Sequence, residues 1–310
     1  MSHYRIRRHL AWLLGIMLLG ALPVSATPIA VLVRINTTVF DVVRQQDEDA
    51  TTVLKQLAKV NVVYLGEIHD RSADHQAQLE IIQALYRERP NLAIGMEMFQ
   101  RPAQSLLDQY LAGEMTEAQL RTLSQYDERW GFDWEFYAPI LRFAKARRLP
   151  VIALNTPSEI TRKVSRLGLA SLTPAEQQQI PPATQILLGP EVYRQRLQQF
   201  FAEMHQHAGY SQAFDRFFLA QVIWDETMAE QIARTVQHSP QTLMVVLAGQ
   251  GHIAYGYGIP DRVTRRLQAQ PSFQGKFEQR LVLLNPDAEL RTPTEPRSAD
   301  YFWDVPAGNK

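Results

Sequence analysis

The chain contains no cysteine. That absence excludes disulfides, thiolate metal centres, a cysteine nucleophile and a cysteine-linked lipid. Neither sign of charge is in excess, since 32 Lys and Arg face 32 Asp and Glu. Nucleic-acid binders concentrate basic charge on one face, so nucleic acid is not the expected partner. A Gly-x-Ser-x-Gly elbow and a His-Glu-x-x-His helix are also missing, which leaves serine-hydrolase and ordinary zinc-protease chemistry without support. The segment 10–24, "LAWLLGIMLLGALPV", is apolar but is interrupted by Gly15, Gly20 and Pro23. A membrane span needs about 20 predominantly apolar residues. Arg5, Arg7 and Arg8 precede this stretch and Val24-Ser25-Ala26 closes it. That is the layout of a secretory signal peptide, residues 1–26, cut after Ala26. The expected product is periplasmic and soluble, with no stable membrane anchor after cleavage. It is slightly acidic, because the removed segment holds three basic residues and no acidic ones.

What is present is a recurring pattern. Five short apolar runs, "VNVVYLGE" (60–67), "NLAIGMEM" (91–98), "LPVIALN" (149–155), "TLMVVLAGQGH" (242–252) and "RLVLLN" (280–285), alternate with amphipathic stretches. Between them, "SADHQAQLEIIQALYRER" places Leu79, Ile82 and Tyr86 on one helical face, and "DWEFYAPILRFAKARR" repeats that period. The alternation predicts an α/β fold: a mostly parallel sheet with helices on both faces. Residues 156–220 show helical patterns broken by Pro and Gly, with no strong strand. They read as a helical insertion over the C-terminal ends of the strands, within one domain spanning 27–290. "IAVLVRI" (29–35) suggests an edge strand or hairpin, and 291–310 reads as an irregular tail.

Several runs end on polar groups at the same side: Glu67 with His69, Glu97, Asn155 and His252. Buried charges are costly without partners or a ligand. In open α/β sheets, ligands collect in the crevice outside the carboxyl ends of the strands. Any one of these residues alone is ordinary turn chemistry, but their coincidence at successive strand ends points to a shared site. His75 lies four and seven residues before Leu79 and Ile82, so it shares their buried face and is aimed at the sheet end. It reads equally well as a core histidine bonded to a neighbouring carboxylate. Asp225 lies on a buried helical stripe and suits a carboxylate that holds a site histidine, or equally an N-cap or salt-bridge role elsewhere. The glycines of "AGQGHIAYGYGIPDR" lack dinucleotide-binding spacing and instead let the backbone turn and present His252. Tyr255 and Tyr257 follow at once, and tyrosine phenolate can hold haem iron, although a pair of turn tyrosines is more often interface or loop packing. "EMHQHAGY" offers His205, His207 and Tyr210. His-x-His alone is a weak metal signal.

Taken in order, "LGEIHD" with His75 downstream, "EMFQRPAQ", "ERWGFDWEFYAPIL", "PVIALNTP", "QVIWDETMAEQI" and "AGQGHIAYGYGIP" resemble the ChaN-like haem-binding uptake family, within the broader Tiki superfamily. The likeness spans roughly residues 55–265. It implies an α/β core with a helical subdomain and a role in iron-regulated haem acquisition. It further implies a homodimer that encloses two cofacial haems, with tyrosine on iron and basic or imidazole groups near the propionates. Tyr210, Tyr255 and Tyr257 are then the candidate phenolates, with His69 and His252 as the imidazoles. Related Tiki-type proteins are metal-dependent peptidases that use a Gly-x-x-His block and acids. "GEIH" (66–69) matches that block, with Glu97 and His252 as partners. Some relatives are lipoproteins, from which this cysteine-free chain departs.

Three readings follow, the first preferred, the second its runner-up and the third an ancestral site retained for stability only. The first is a periplasmic haem-binding protein. The second is a metal-dependent hydrolase, a peptidase or esterase, in which Glu67, His69, Glu97 and His252 hold a divalent metal through imidazole nitrogen and carboxylate oxygen.

Overall fold

A computed structural model describes residues 38–204, 210–293 and 296–305, all within one compact unit. The expected signal segment, the run 29–35, His205 and His207 lie outside the described residues. The strands are β1 (Thr38–Asp41), β2 (Gln46–Glu48), β3 (Val62–Glu67), β4 (Leu92–Gln100), β5 (Val151–Asn155), β6 (Leu243–Gly249), β7 (Gln279–Leu284) and β8 (Tyr301–Asp304). The helices of the first half are α1 (Ala50–Leu57), α2 (Ser72–Glu88), α3 (Gln104–Ala112), α4 (Glu117–Leu123), α5 (Tyr126–Arg129) and α6 (Trp134–Arg147). Those of the second half are α7 (Ser158–Leu167), α8 (Pro174–Gln177), α9 (Glu191–Met204), α10 (Tyr210–His238), α11 (Gln250–Ile253), α12 (Ile259–Gln268) and α13 (Ala288–Arg291).

All the strands form one sheet in the order β2-β1-β8-β7-β3-β6-β4-β5. From β8 to β5 every pairing is parallel, and only β1 runs antiparallel to its neighbours β2 and β8. The expected mostly parallel α/β sheet is therefore what forms. β3, β4 and β6 are buried along their whole length, as strands covered on both faces must be. On one face, Val62, Tyr64, Met244, Val246 and Leu283 pack against Met228, Ile232 and Val236 of α10 and Ile259, Val263 and Leu267 of α12. The alternate residues Val63, Leu65, Ile94 and Val245 face the other way and are equally buried. α2 and α3 cover that side against β3 and β5, and α1 and α6 pack on α2.

Two expectations about the ends of the domain need correction. The tail is not irregular throughout, because Tyr301–Asp304 inserts as β8 between β1 and β7. Only four residues are involved, and Phe302 and Trp303 supply the burial that a Pro- and Arg-containing neighbourhood conceals. Nor does the helical insertion end near residue 220. α10 runs unbroken for 29 residues, about 44 Å at 1.5 Å per residue. Its Phe214, Phe218 and Val222 join Tyr193, Leu197 and Phe201 of α9. Ala220 and Ile223 pack on Ile160 and Val164 of α7, and the remainder docks on the sheet. One helix thus serves both the insertion and the core.

Candidate functional site

The strand register creates the site. β3 and β6 pair so that Glu67 lies opposite Gly249, and β4 pairs with β6 up to Met96 and Leu247. Glu67, Glu97 and the start of α11 therefore emerge side by side at the C-terminal edge. β4 also shifts register against β5 between Met96 and Gln100. Such bulges re-aim side chains and are common beside functional sites.

Glu67 is fully buried and heavily bonded. Its Oε1 accepts from Tyr137 Oη at 2.5 Å and from His69 Nδ1 at 2.9 Å. Its Oε2 accepts from Gln78 Nε2 at 2.5 Å and lies 3.5 Å from His75 Nδ1. His75 Nε2 donates to the His69 carbonyl at 3.0 Å, which fixes the loop that carries His69. Burial alone would raise the Glu67 carboxyl, but hydrogen bonds from His69 and His75, the His75 charge and the Tyr137 hydroxyl hold it at about 2. Burial works against protonation of His69 and His75, yet the bonds to Glu67 outweigh it and raise both above the ordinary imidazole value. These are buried groups given partners, as burial demands.

A second acid–imidazole set faces the first. Asp225 on α10 accepts from His252 Nδ1 at 2.7 Å and from Tyr193 Oη at 2.5 Å. His252 Nε2 points at Glu97, 3.5 Å from Oε1, while Glu97 Oε2 accepts the Gly249 amide at 2.8 Å. Burial lowers His252, but the Glu97 charge and then the Asp225 hydrogen bond and charge carry it up to about 9. Asn155 at the end of β5 donates to the Glu97 carbonyl at 2.9 Å and so fixes the strand that presents the carboxylate. Gly249 must be small, because a Cβ there would lie 3.1 Å from His69 Nε2. Aromatic walls flank both imidazoles. Trp130 meets the His69 ring edge-on at 4.7 Å and Phe132 tilts on it at 5.0 Å, while Trp224 meets His252 edge-on at 6.0 Å. The His69 and His252 side chains retain 28% and 12% exposure, so both are reachable from solvent.

The structure thus brings together Glu67, His69, His75, Glu97, Asn155, Asp225 and His252. The metal centre expected from four of them is not what their arrangement makes. Among the described residues no three His, Asp or Glu side chains are placed to hold a metal ion. His69 and His252 each give Nδ1 to a carboxylate, His75 Nδ1 faces Gln78 Oε1 at 3.3 Å, and Glu67 spends both oxygens on protein donors, so the set forms hydrogen-bonded acid–imidazole pairs. Tyr137, Gln78, Tyr193, Trp130 and Trp224 were not anticipated. Gln78 carries a legible signal, one helical turn beyond His75 on the same face. Tyr137 and Tyr193 read as ordinary apolar stripe positions, and only the packing of α6 and α9 reveals their hydroxyl partners.

Tyr255 and Tyr257 lie apart from this cluster's hydrogen bonds, on the turn after α11. Tyr255 has φ +62°, a left-handed value uncommon for a residue with a side chain. Its ring stacks on Tyr257 at 5.8 Å, and the Arg196 guanidinium sits 3.6 Å above it. The Tyr210 side chain lies outside the described residues.

The family described as haem-binding uptake, Tiki superfamily, ChaN, matches residues 53–263. This chain belongs to that family. The ChaN-like fold recurs in a solved structure titled for cofacial heme binding to ChaN of Campylobacter jejuni. The TM-score is 0.66 at 17% identity, covering 86% of this chain and 96% of that one. The chain is also similar to Protein RETICULATA-RELATED 5, chloroplastic, of Arabidopsis thaliana, at 27% identity over 271 residues. The match covers 83% of this chain but only 35% of that relative's length.

The ChaN-like family implies haem, and the tyrosine turn has suitable donor chemistry. Neither the Tyr255 nor the Tyr257 hydroxyl has a hydrogen-bond partner among the described residues, and Arg196, which pairs with Glu289 at 3.2 Å, sits over the Tyr255 ring. The neighbouring insertion exposes Leu187, Leu188, Val192 and Phe200. A phenol, a guanidinium and an apolar face match iron, propionate and macrocycle in kind. Among the described residues no helix is long and apolar enough to cross a membrane.

Proposed function

We propose that this protein binds haem and serves haem or iron uptake as an exported, periplasmic component, with a second copy of the chain completing the haem enclosure. The observation that carries the reading is the stacked pair of unbonded phenols at Tyr255 and Tyr257, with Arg196 over the Tyr255 ring, in a chain of the haem-binding uptake family. Bound haem supplies an iron centre that takes a phenolate ligand. The chain's own residues supply that ligand, charge for the propionates and apolar surface that excludes water. Titrating the full chain with haem and recording visible spectra tests the reading. A saturable tyrosinate-type spectrum that Tyr255→Phe or Tyr257→Phe removes supports it, and the absence of saturable binding by wild type would sink it. Intact-mass measurement on exported protein checks the expected start at Thr27.

The strand-end cluster favours a second activity, hydrolysis by acid–base chemistry at the two carboxylate–imidazole sets. In this proposal His252, lying between Asp225 and Glu97, serves as the acid. Glu97 serves as the base that takes a proton from water, and His69, bonded to Glu67, as the donor to a carbonyl oxygen. In that reaction the water oxygen bonds to the carbonyl carbon and its proton passes to Glu97. The carbon–oxygen bond of an ester breaks, and the leaving oxygen takes the His252 proton. Release of acid from a simple ester by wild type, lost in His252→Gln, is the test. Turnover that survives that substitution would rule the activity out.

A further inference from the structure

A cleft of about 710 Å³ opens among α3, α4, α7 and α8, and none of the acid–imidazole residues is in its lining. Its apolar lining includes Pro102, Ala103, Leu106, Leu123 and Ile160. Two connections tie it to the cluster. Gln100, in the cleft wall, closes the strand that carries Glu97 and pairs in register with Asn155, whose amide holds the Glu97 carbonyl. Three residues along a strand place the two about 10 Å apart. Arg129, also in the wall, precedes Trp130, whose ring packs on His69.

The cleft offers no free charge. Arg129 bonds Gln100 Oε1 at 2.7 Å and Gln125 Oε1 at 2.9 Å, and it pairs with Glu159 at 2.9 Å. Glu176 is taken by Lys163 at 2.7 Å and caps Thr173. An anion would find no unpaired cation in this lining. The lining residues also include no tyrosine or histidine, so the cleft is not built to ligate iron and is separate from the phenol face. Its size falls in the range of sites that enclose small ligands, roughly 300–1,000 Å³.

We infer that this cleft is the specificity pocket of the strand-end cluster and takes the apolar acyl part of an uncharged ester, with the carbonyl lying toward Glu97 and His252. The inference rests on the hydrolytic reading above and names its substrate class. Leu123 is the natural probe. It is 57% exposed, ends α4 and touches none of the acid–imidazole groups, so replacing it leaves the fold and the chemistry in place.

Two readouts on the full chain test it: fluorescence titration with the neutral apolar dye N-phenyl-1-naphthylamine, and kcat/KM for 4-nitrophenyl octanoate against 4-nitrophenyl acetate. Six extra methylenes at about 0.8 kcal/mol each, only partly buried, predict a preference for octanoate of at least tenfold. Leu123→Trp, which narrows the cleft, and Leu123→Asp, which charges its mouth, should weaken dye binding at least fivefold. They should also erase the octanoate preference while leaving acetate turnover unchanged. Dye binding that is lost in both variants, with no ester cleaved by wild type, keeps the pocket and removes the hydrolytic reading. Ester cleavage without chain-length preference, and dye binding indifferent to both substitutions, overturns the pocket and leaves the hydrolytic reading standing.

Discussion

Gly249 and His69 meet across the sheet end with no room for a side chain between them: a Cβ on Gly249 would lie 2.9 Å from His69 Cε1. The contact follows from register, since Gly249 is the β6 partner of Glu67, whose carboxylate holds the His69 ring. A methyl group must displace the imidazole or the strand. Gly249→Ala should therefore cost about 1–3 kcal/mol, the usual range for overpacking, and should shift the His69 ring resonances. An unchanged urea midpoint together with unchanged His69 shifts would contradict the contact.

Glu67 is the most heavily partnered group of the site, serving Tyr137, His69, Gln78 and His75. Glu67→Gln removes the anion and leaves two imidazoles and a phenol facing a neutral amide. Breaking one side of a buried charged network costs about 3–5 kcal/mol. Urea denaturation at pH 7 should show a loss of that order, larger than for Glu159→Gln, whose carboxylate is half exposed in its pair with Arg129. Equal losses in the two variants would show that Glu67 is not the anchor of the cluster.

Asp225 holds His252 from behind while Tyr193 holds Asp225. Asp225→Asn keeps the shape and removes the charge, so the His252 proton keeps only Glu97 as its anionic partner. The titration of His252, followed by NMR, should move down from about 9 by at least one unit. No movement would mean that Glu97 alone sets the proton affinity.

Much of this arrangement is legible in the sequence, for a physical reason. Buried parallel strands read as short aliphatic runs, and β3, β4, β5, β6 and β7 all lie where "VVYLGE", "LAIGMEM", "VIALN", "TLMVVLAG" and "RLVLL" stand. A Glu or His that ends such a run has little to bond with locally, which is why Glu67, His69, Glu97 and His252 are visible as a set. β8 is not visible, because four residues cannot establish a period and Phe302 and Trp303 sit in a polar tail. Tyr193 and Tyr137 are hidden for a different reason. Their rings obey helical periodicity, and nothing local marks which hydroxyl will meet a carboxylate from another element. The metal expectation finds no support, because among the described residues no three His, Asp or Glu side chains are placed to hold an ion. Residue types at strand ends do not give that placement, nor that Asp225 and Glu67 each bond a ring nitrogen.

The proton on His252 should also shape the pH dependence of stability. The unfolded imidazole titrates near 6.5, the folded one at about 9. Below 6.5 both states hold the proton and the pair contributes fully. As pH rises through 9 the folded state must give the proton up, and the contribution is lost, on the order of 3 kcal/mol. Glu67 acts at the other end: its folded value of about 2 against 4.5 unfolded gives stability that is present above 4.5 and lost as pH falls through 2. Asp74 has the opposite sign to Glu67. Burial raises it to about 6 despite the hydrogen bonds it accepts from Asn285 and the Ile68 amide, so its contribution is present below 3.8 and gone above 6. Urea midpoints across pH 5 to 10 should therefore fall on the alkaline side in wild type. His252→Asn, less stable at pH 7, should lack most of that alkaline decline. Parallel alkaline limbs in the two proteins would show that the loss arises elsewhere and that His252 is not charged in the folded state.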